Sequence, residues 1–364
     1  MIGGVSDYSR AVGMELASLG QVVHVWCPQD HGAPQQFPGL IIHGLEGGYS
    51  ANGLRTLNGQ LEMLPGRRRL FVQWVPHGFG MKSMNVGFCK WLLSRSRMGD
   101  EIDLMLHEPF LMFREGSWKQ DVVAAVHRLM ISMALRSATR LWFAIPSWKE
   151  RVEPWQFGRK IPSQWLPIPS AVEPQSKERM SLSQHYSTEA PVVGHFGTYG
   201  KHIQEMLAEI LPAIADGGAA NILLLGRDSD TVATEMARGD ERLRGRIWGK
   251  GTAAITELTP FVNSCAVMLQ PYPDGISTRR SSAMFSLAHG RPIVTTRGLP
   301  TEELWSESGA VVLNAVEDYG GIVRSVRRLL GSPDEITRLE EAAQRLYRSR
   351  FAAHLSASRL VAAN

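Results

Sequence analysis

Apolar runs of strand length alternate with stretches of helical spacing along almost the whole chain, and this alternation constrains the fold more than any other feature. The strand candidates are 22–26, 70–75, 103–107 and 140–144 in the first half, and 192–196, 222–225, 246–248, 267–269 and 292–295 in the second. Helical patterns between successive runs require crossovers, so neighbouring strands lie parallel. A chain of 364 residues exceeds one ordinary core. A polar piece containing Pro and Ser, from Pro169 to Pro191, divides it. The expectation is an α/β protein with two Rossmann-like domains: residues 1–170, a linker at 171–190, residues 191–338, and a final helix over 339–364 returning toward the first domain.

The composition, 44% hydrophobic and 20% charged, is that of a globular chain. No run of about 18 apolar residues is present, so a spanning helix is not expected, and no signal-peptide pattern is visible. Cys27, Cys89 and Cys265 sit in apolar settings without metal-type spacing, which points to reduced thiols and a cytoplasmic location. The formal charge of +4 is carried by the first half, in Arg67-Arg68-Arg69 and in Lys90-Trp91-Leu92-Leu93-Ser94-Arg95-Ser96-Arg97. Bases among apolar residues suit an anionic membrane face or a pyrophosphate-bearing acceptor; a solvated helix with a buried apolar side is the plainer reading.

One strand-to-helix junction carries chemistry. The run Cys265-Ala266-Val267-Met268-Leu269-Gln270-Pro271 leads into Asp274-Gly275-Ile276-Ser277-Thr278-Arg279-Arg280, and a helical stretch follows Ser282. Glycine lets backbone approach a ligand closely, and a first helical turn offers unpaired N–H groups and partial positive charge. Arg279 and Arg280 add forked donors for phosphate oxygens. Asp274 at the strand end suits sugar hydroxyls. Together these describe a phosphorylated, hydroxyl-rich ligand such as a nucleotide sugar, with Gly275, Ile276, Ser277 and Ser282 in the same wall; a structural loop with solvated arginines is the alternative.

With the following Ala288-His289-Gly290-Arg291-Pro292-Ile293-Val294, this segment resembles the strand, acidic-Gly loop, helix and Gly-x-Pro strand of the group-1 (family 4) retaining glycosyltransferases, which have the two-domain GT-B fold. The family loop reads Glu-Gly-Phe-Gly, and a second Glu follows. Asp274 stands at the first Glu and Ser282 at the second; anchoring on the Gly-x-Pro motif moves the second position to near Phe285. The resemblance covers nearly the whole chain and is strongest around residues 3–16, 104–109, 192–201 and 265–296.

The resemblance implies further roles. Leu104-Met105-Leu106-His107-Glu108-Pro109 matches a strand-end His-Glu-Pro whose His lies beside the donor sugar, so His107 and Asp274 are the catalytic candidates. Gly3-Gly4-Val5-Ser6-Asp7-Tyr8-Ser9 resembles the loop joining the first strand to the first helix. That places Gly4 toward the donor phosphate and Gly3, Asp7 and Tyr8 toward the acceptor; a simple tight turn explains the glycines equally well. The family has a strand before this loop, whereas the sequence starts at Met1. A start assigned too late is therefore expected, with a gap or exposed edge in the first sheet beside 22–26 and 103–107. His77, in Gln73-Trp74-Val75-Pro76-His77-Gly78-Phe79-Gly80, belongs to a strand-end loop suited to the acceptor pocket, with Met84-Asn85 in the same wall.

In His195-Phe196-Gly197-Thr198-Tyr199-Gly200-Lys201, Lys201 matches the family lysine that neutralises the donor diphosphate. The partner arginine position holds His195 or Phe196, and Arg279 or Arg280 is expected to supply the missing charge. Trp248, in Arg246-Ile247-Trp248-Gly249-Lys250, corresponds to the base-sandwiching loop, and a core tryptophan is an equal reading. Asp228-Ser229-Asp230 looks like a metal-binding Asp-x-Asp, but it sits between a strand and a helix, where one aspartate serves as N-cap.

The resemblance implies transfer of a sugar from a nucleotide-sugar donor to a hydroxyl acceptor (glycan, lipid-linked or small molecule), with retention. It implies no cofactor, no metal and no nucleic-acid partner, and it leaves room for peripheral contact with the inner membrane face. A catalytically degenerate nucleotide-sugar-binding subunit is the alternative. A nucleotide-sugar epimerase is less favoured, because few carboxylates fall at matching strand ends.

Overall fold

The computed structural model describes residues 4–28, 35–114, 116–174, 176–187 and 189–363. The chain forms two compact units, Met1–Pro167 with Ser356–Asn364, and Ile168–Leu355.

The first unit runs α1 (Gly4–Ser18), β1 (Val23–Cys27), β2 (Gln35–Phe37), β3 (Leu40–Gly44), α2 (Ala51–Glu62), β4 (Arg69–Trp74), α3 (Val86–Arg97), β5 (Glu101–Leu106), α4 (Trp118–Ser137), β6 (Arg140–Phe143), α5 (Ser147–Val152) and β7 (Ser163–Trp165). β3 pairs parallel with β1 and antiparallel with β2, whereas β4-β5-β6-β7 form a separate, all-parallel sheet. β5 is buried at every position but the first, which explains its nearly unbroken apolar run. Its buried carboxylate, Asp103, is paired: Arg69 Nε donates at 3.1 Å and Trp142 Nε1 at 2.7 Å.

Among the described residues β1 pairs only with β3, and β4 only with β5, so the first unit holds two separate sheets. The neighbour differs from the expectation, because β5, containing Asp103, pairs on both sides and the open side belongs to β4. α1 begins at Gly4, so Asp7 and Tyr8 occupy its early turns and are not loop residues. Ser50 caps α2 through Gly53 N, and Asn85 caps α3 through Phe88 N.

Several bases of the two basic stretches are paired internally. Arg67 pairs with Glu101, Arg68 Nε donates to Asp100 Oδ1 at 2.8 Å, and Arg95, fully buried, donates from Nε to Asp100 Oδ2 at 2.6 Å. Burial and pairing withdraw Arg95 from any anionic face, whereas Arg67, Lys90 and Arg97 are exposed.

The second unit runs β8 (Val192–Phe196), α6 (Lys201–Ala215), β9 (Asn221–Leu225), α7 (Ser229–Gly239), β10 (Ile247–Gly249), α8 (Thr259–Asn263), β11 (Val267–Gln270), α9 (Ser281–Ala288), β12 (Ile293–Arg297), α10 (Leu304–Glu307), β13 (Val311–Ala315), α11 (Tyr319–Leu330) and α12 (Pro333–Leu346); α13 (Ala353–Ala362) follows. All six strands are parallel, in the order β10-β9-β8-β11-β12-β13. β9 and β11 are buried throughout, as central strands covered on both faces must be. The chain grows outward from β8 in one direction and from β11 in the other. Their adjacent C-terminal ends are a strand-order reversal, where open α/β sheets hold ligands.

The polar piece at 171–190 is packed: Asn263 Nδ2 donates to Ser176 O at 3.1 Å and Glu178 O at 2.9 Å, and Met180 N to Pro260 O at 3.1 Å. The single final helix expected over 339–364 is two helices, since a π-helical turn at Tyr347–Phe351 separates α12 from α13. Arg69 Nη1 donates to Leu360 O in α13 at 2.6 Å.

Candidate functional site

In the second unit the loop after β11 is built on close backbone contact. Gly275 has φ +88°, and a Cβ there would overlap the backbone nitrogen of Gly298. Only glycine fits both the conformation and the space. Ile276 N donates to Thr296 O at 2.8 Å. Glu302 binds Thr278, two residues on, accepting from Thr278 N at 3.1 Å and Thr278 Oγ1 at 2.6 Å, and also from Trp305 Nε1 at 2.8 Å. Burial raises the Glu302 carboxyl above its ordinary range, and these hydrogen bonds oppose that.

This frame presents Asp274, Arg279 and Arg280 together. Arg279 Nη2 donates to Asp274 Oδ2 at 2.7 Å, and Arg280 pairs with Asp274 Oδ1. Both oxygens of Asp274 are therefore paired within the loop, which the expectation of a carboxylate waiting for sugar hydroxyls did not include. Arg280 also lies over the Tyr272 ring, 4.7 Å from its centroid, and Tyr272 Oη is 2.7 Å from Ser282 Oγ at the start of α9.

Across the reversal, at the end of β8, His195 Nδ1 lies 2.8 Å from Leu269 O. A carbonyl can only accept, so Nδ1 carries the ring proton and Nε2 presents a lone pair. Burial lowers the His195 pKa to about 4, partly opposed by that backbone bond, so the ring is neutral at pH 7. Nε2 is buried without a hydrogen-bond partner among the described residues, as are both amide atoms of Gln270, Ser277 Oγ and Arg280 Nε. His195 Nε2 and Ser282 Oγ both flank Gly197.

Lys201 begins α6, but its side chain is exposed, 3.8 Å from Glu205. Trp248 carries His185 flat on one face, with centroids 3.8 Å apart and planes 7° from parallel. That face is occupied by the protein itself. Asp228 holds the N-cap position of α7 in a left-handed conformation, φ 62°, without a side-chain cap bond, so the expected N-cap hydrogen bond is not formed. Among the described residues no group of three or more His, Cys, Asp or Glu is arranged to hold a metal ion.

In the first unit, His107 follows β5 and is nearly buried. Its Nε2 is 2.8 Å from Gln73 Oε1, and Tyr8 stands edge-on to its ring at 5.1 Å. Burial lowers the His107 pKa to about 3. The Tyr8 hydroxyl is buried without a partner among the described residues, and burial raises its pKa. Asp7 is raised by burial, against the opposing charge of Arg10. Gly4 is the first residue of α1, and Gly3 lies outside the described residues. His77 is exposed; its Nδ1 is 2.9 Å from Ser83 Oγ and its ring is edge-on to His127 at 5.4 Å. Asn85 donates to Tyr49 O and Phe79 O, which gives it a structural task.

Gln270, Tyr272 and Glu302 were not anticipated. Gln270 left a signal, a polar residue inside an apolar strand. Glu302 left none, because Thr278 is distant from it in sequence.

No protein-family model matches the chain, and no curated protein matches it. Solved structures do. Sucrose-phosphate synthase from Thermosynechococcus elongatus superposes with a TM-score of 0.71 at 14% identity, covering 99% of this chain and 92% of that one. The UDP-forming α,α-trehalose-phosphate synthase from Burkholderia xenovorans, in complex with glucose-6-phosphate, gives 0.68 at 13% identity, covering 100% and 95%. Anabaena HepE in complex with UDP gives 0.58 at 13% identity, covering 89% and 85%. The fold of this chain is that of the GT-B glycosyltransferases.

Proposed function

We propose that this chain is a glycosyltransferase that moves a sugar from a nucleotide-sugar donor to a hydroxyl of a glycan, lipid-linked or small-molecule acceptor, with retention. The observation that carries the reading is the set of unpaired buried polar atoms at the β8–β11 reversal: His195 Nε2, the Gln270 amide, Ser277 Oγ and Arg280 Nε. Such atoms are costly unless something completes their bonding, so their concentration marks a polar ligand's place. Arg279 and Arg280, with the N–H groups that begin α6 and α9, suit a diphosphate. Neutral His195 accepts from a ligand hydroxyl or N–H and does not replace an arginine. Support also comes from similarly folded proteins, of which one is described as UDP-forming and another as bound to UDP.

In this reading the arginines stabilise negative charge on the departing diphosphate, and an arginine turning to phosphate frees Asp274 for sugar hydroxyls. His107, neutral at pH 7, orients a hydroxyl and supplies no acid catalysis. Tyr8, with its free hydroxyl, lies on the acceptor side. With charge neutralised by arginine, no divalent metal is required, and the enzyme works in the cytoplasm.

The test is a thermal-shift panel of nucleoside diphosphates and their sugars, since a ligand of the folded state raises Tm, followed by transfer and hydrolysis assays. A chain whose Tm moves with none of them sinks the reading. The double pairing of Asp274 favours one rival, a donor-binding subunit without turnover. Binding with no transfer or hydrolysis of any sugar nucleotide would establish that rival.

A further inference from the structure

α4 carries an apolar stripe on its solvent side. Trp118, Val122, Ala125 and Leu129 follow one another at helical spacings of four, three and four residues, and all are exposed, Trp118 to 72% and Leu129 to 52%. Such spacing places them on one face. Exposed Met112 and Phe113 extend the stripe beside the first turns of α4: Gln120 Nε2 donates to Met112 O at 3.0 Å, and the Arg128 guanidinium lies 3.9 Å from the Phe113 centroid. At the other end Arg136 lies over exposed Phe157 at 5.5 Å. From Trp118 to Arg136 the helix rises about 27 Å.

The rim of this stripe is basic. Arg114 and Lys119 are exposed at the Trp118 end and Arg136 at the other, while the only carboxylate on α4, Asp121, is partly buried and accepts from Arg114 N at 2.9 Å. An apolar stripe with cations at both ends fits one occupant better than others. A second copy on a two-fold axis would bring Lys119 against Arg136 or against its own counterpart, like charge on like charge in either case. An anionic bilayer takes the apolar residues into its interface and the cations onto its headgroups. Among the described residues no helix is long and apolar enough to cross a membrane, so contact would be along the surface.

We propose that the α4 stripe docks this chain on an anionic phospholipid surface. The proposal goes beyond the glycosyltransfer reading and does not depend on it. The test is co-sedimentation of the full chain with sucrose-loaded vesicles of phosphatidylglycerol and phosphatidylcholine in equal parts, against phosphatidylcholine alone. The chain should pellet with the anionic vesicles and less so as salt is raised. Trp118→Ser with Leu129→Ser should lower the partition constant at least about tenfold, and Lys119→Gln and Arg136→Gln about fivefold each. These side chains are exposed, so Tm should hold, and a Tm scan of each variant checks that loss of binding is not loss of fold. No pelleting above the vesicle-free control overturns the proposal, as does equal pelleting of the wild type and the Trp118/Leu129 variant. A concentration-dependent dimer in sedimentation velocity that this variant abolishes would give the stripe to a second copy and also overturn it.

Discussion

Arg279 Nη2 donates to Asp274 Oδ2 across 2.7 Å, in the loop that was expected to offer this carboxylate to a ligand. Asp274 also pairs with Arg280, so both of its oxygens are engaged within the loop. Asp274→Asn should lower kcat/KM by about tenfold or more, as loss of an interaction with the reacting sugar does. Stability should change by about 1 kcal/mol or less, because Asp274 is 38% exposed and its pairs are screened. Urea melts beside kinetics check this; parallel loss of fold and turnover would make Asp274 a loop strut only.

Acid should destabilise the fold through His107 and His195. Their folded pKa values, about 3 and about 4, lie below the ordinary 6.5. Below 6.5 the unfolded chain binds protons that the folded chain refuses, so stability is complete above that value and falls as pH drops toward the folded values. The slope should approach about 1.4 kcal/mol per pH unit for each imidazole. Urea melts across this window should show a shallower slope in His107→Gln, and a slope unaltered by either His107→Gln or His195→Gln would refute the assignment.

Gly275→Ala should damage the site more than the fold elsewhere. The new methyl needs both a left-handed backbone and space held by Gly298, at a cost of about 1–3 kcal/mol. Calorimetry should register that loss, along with weaker nucleoside diphosphate binding. Wild-type stability and binding in the variant would count against the tight loop.

Arg95→Ala leaves Asp100 with one partner, Arg68, and empties a buried site. A loss of about 3–5 kcal/mol is expected. Denaturant titration reads it directly, and a change within about 0.5 kcal/mol, typical of a surface substitution, would return Arg95 to solvent.

Transfer activity should survive a chelator unchanged, as the proposed neutralisation of the diphosphate by arginine requires. Loss of activity on chelation with rescue by manganese would promote Asp228 and Asp230 to ligands.

Much of this architecture was legible in the sequence. All nine strand candidates are strands, because a parallel strand buried on both faces must be an apolar run of limited length. β2 and β7, at three residues each, are too short to show periodicity, and the Leu40–Gly44 and Val311–Ala315 strands went unread. The strand-end position of His107, Asp274 and the arginines was equally local, since a loop follows directly from where its strand stops.

What the sequence alone determined was therefore the order of elements and the chemistry brought to each strand end. Which charges remain available was a tertiary matter. Arg95 and Asp100 are five residues apart, but burial turns their pairing into an obligation. His185 reaches Trp248 and Glu302 reaches Thr278 only because the chain folds back. The side chains of His195 and Gln270, with atoms unpaired among the described residues, come to adjacent strand ends only once β8 and β11 lie side by side. Hydrogen-bond satisfaction and desolvation depend on neighbours in space, and no local pattern encodes those neighbours.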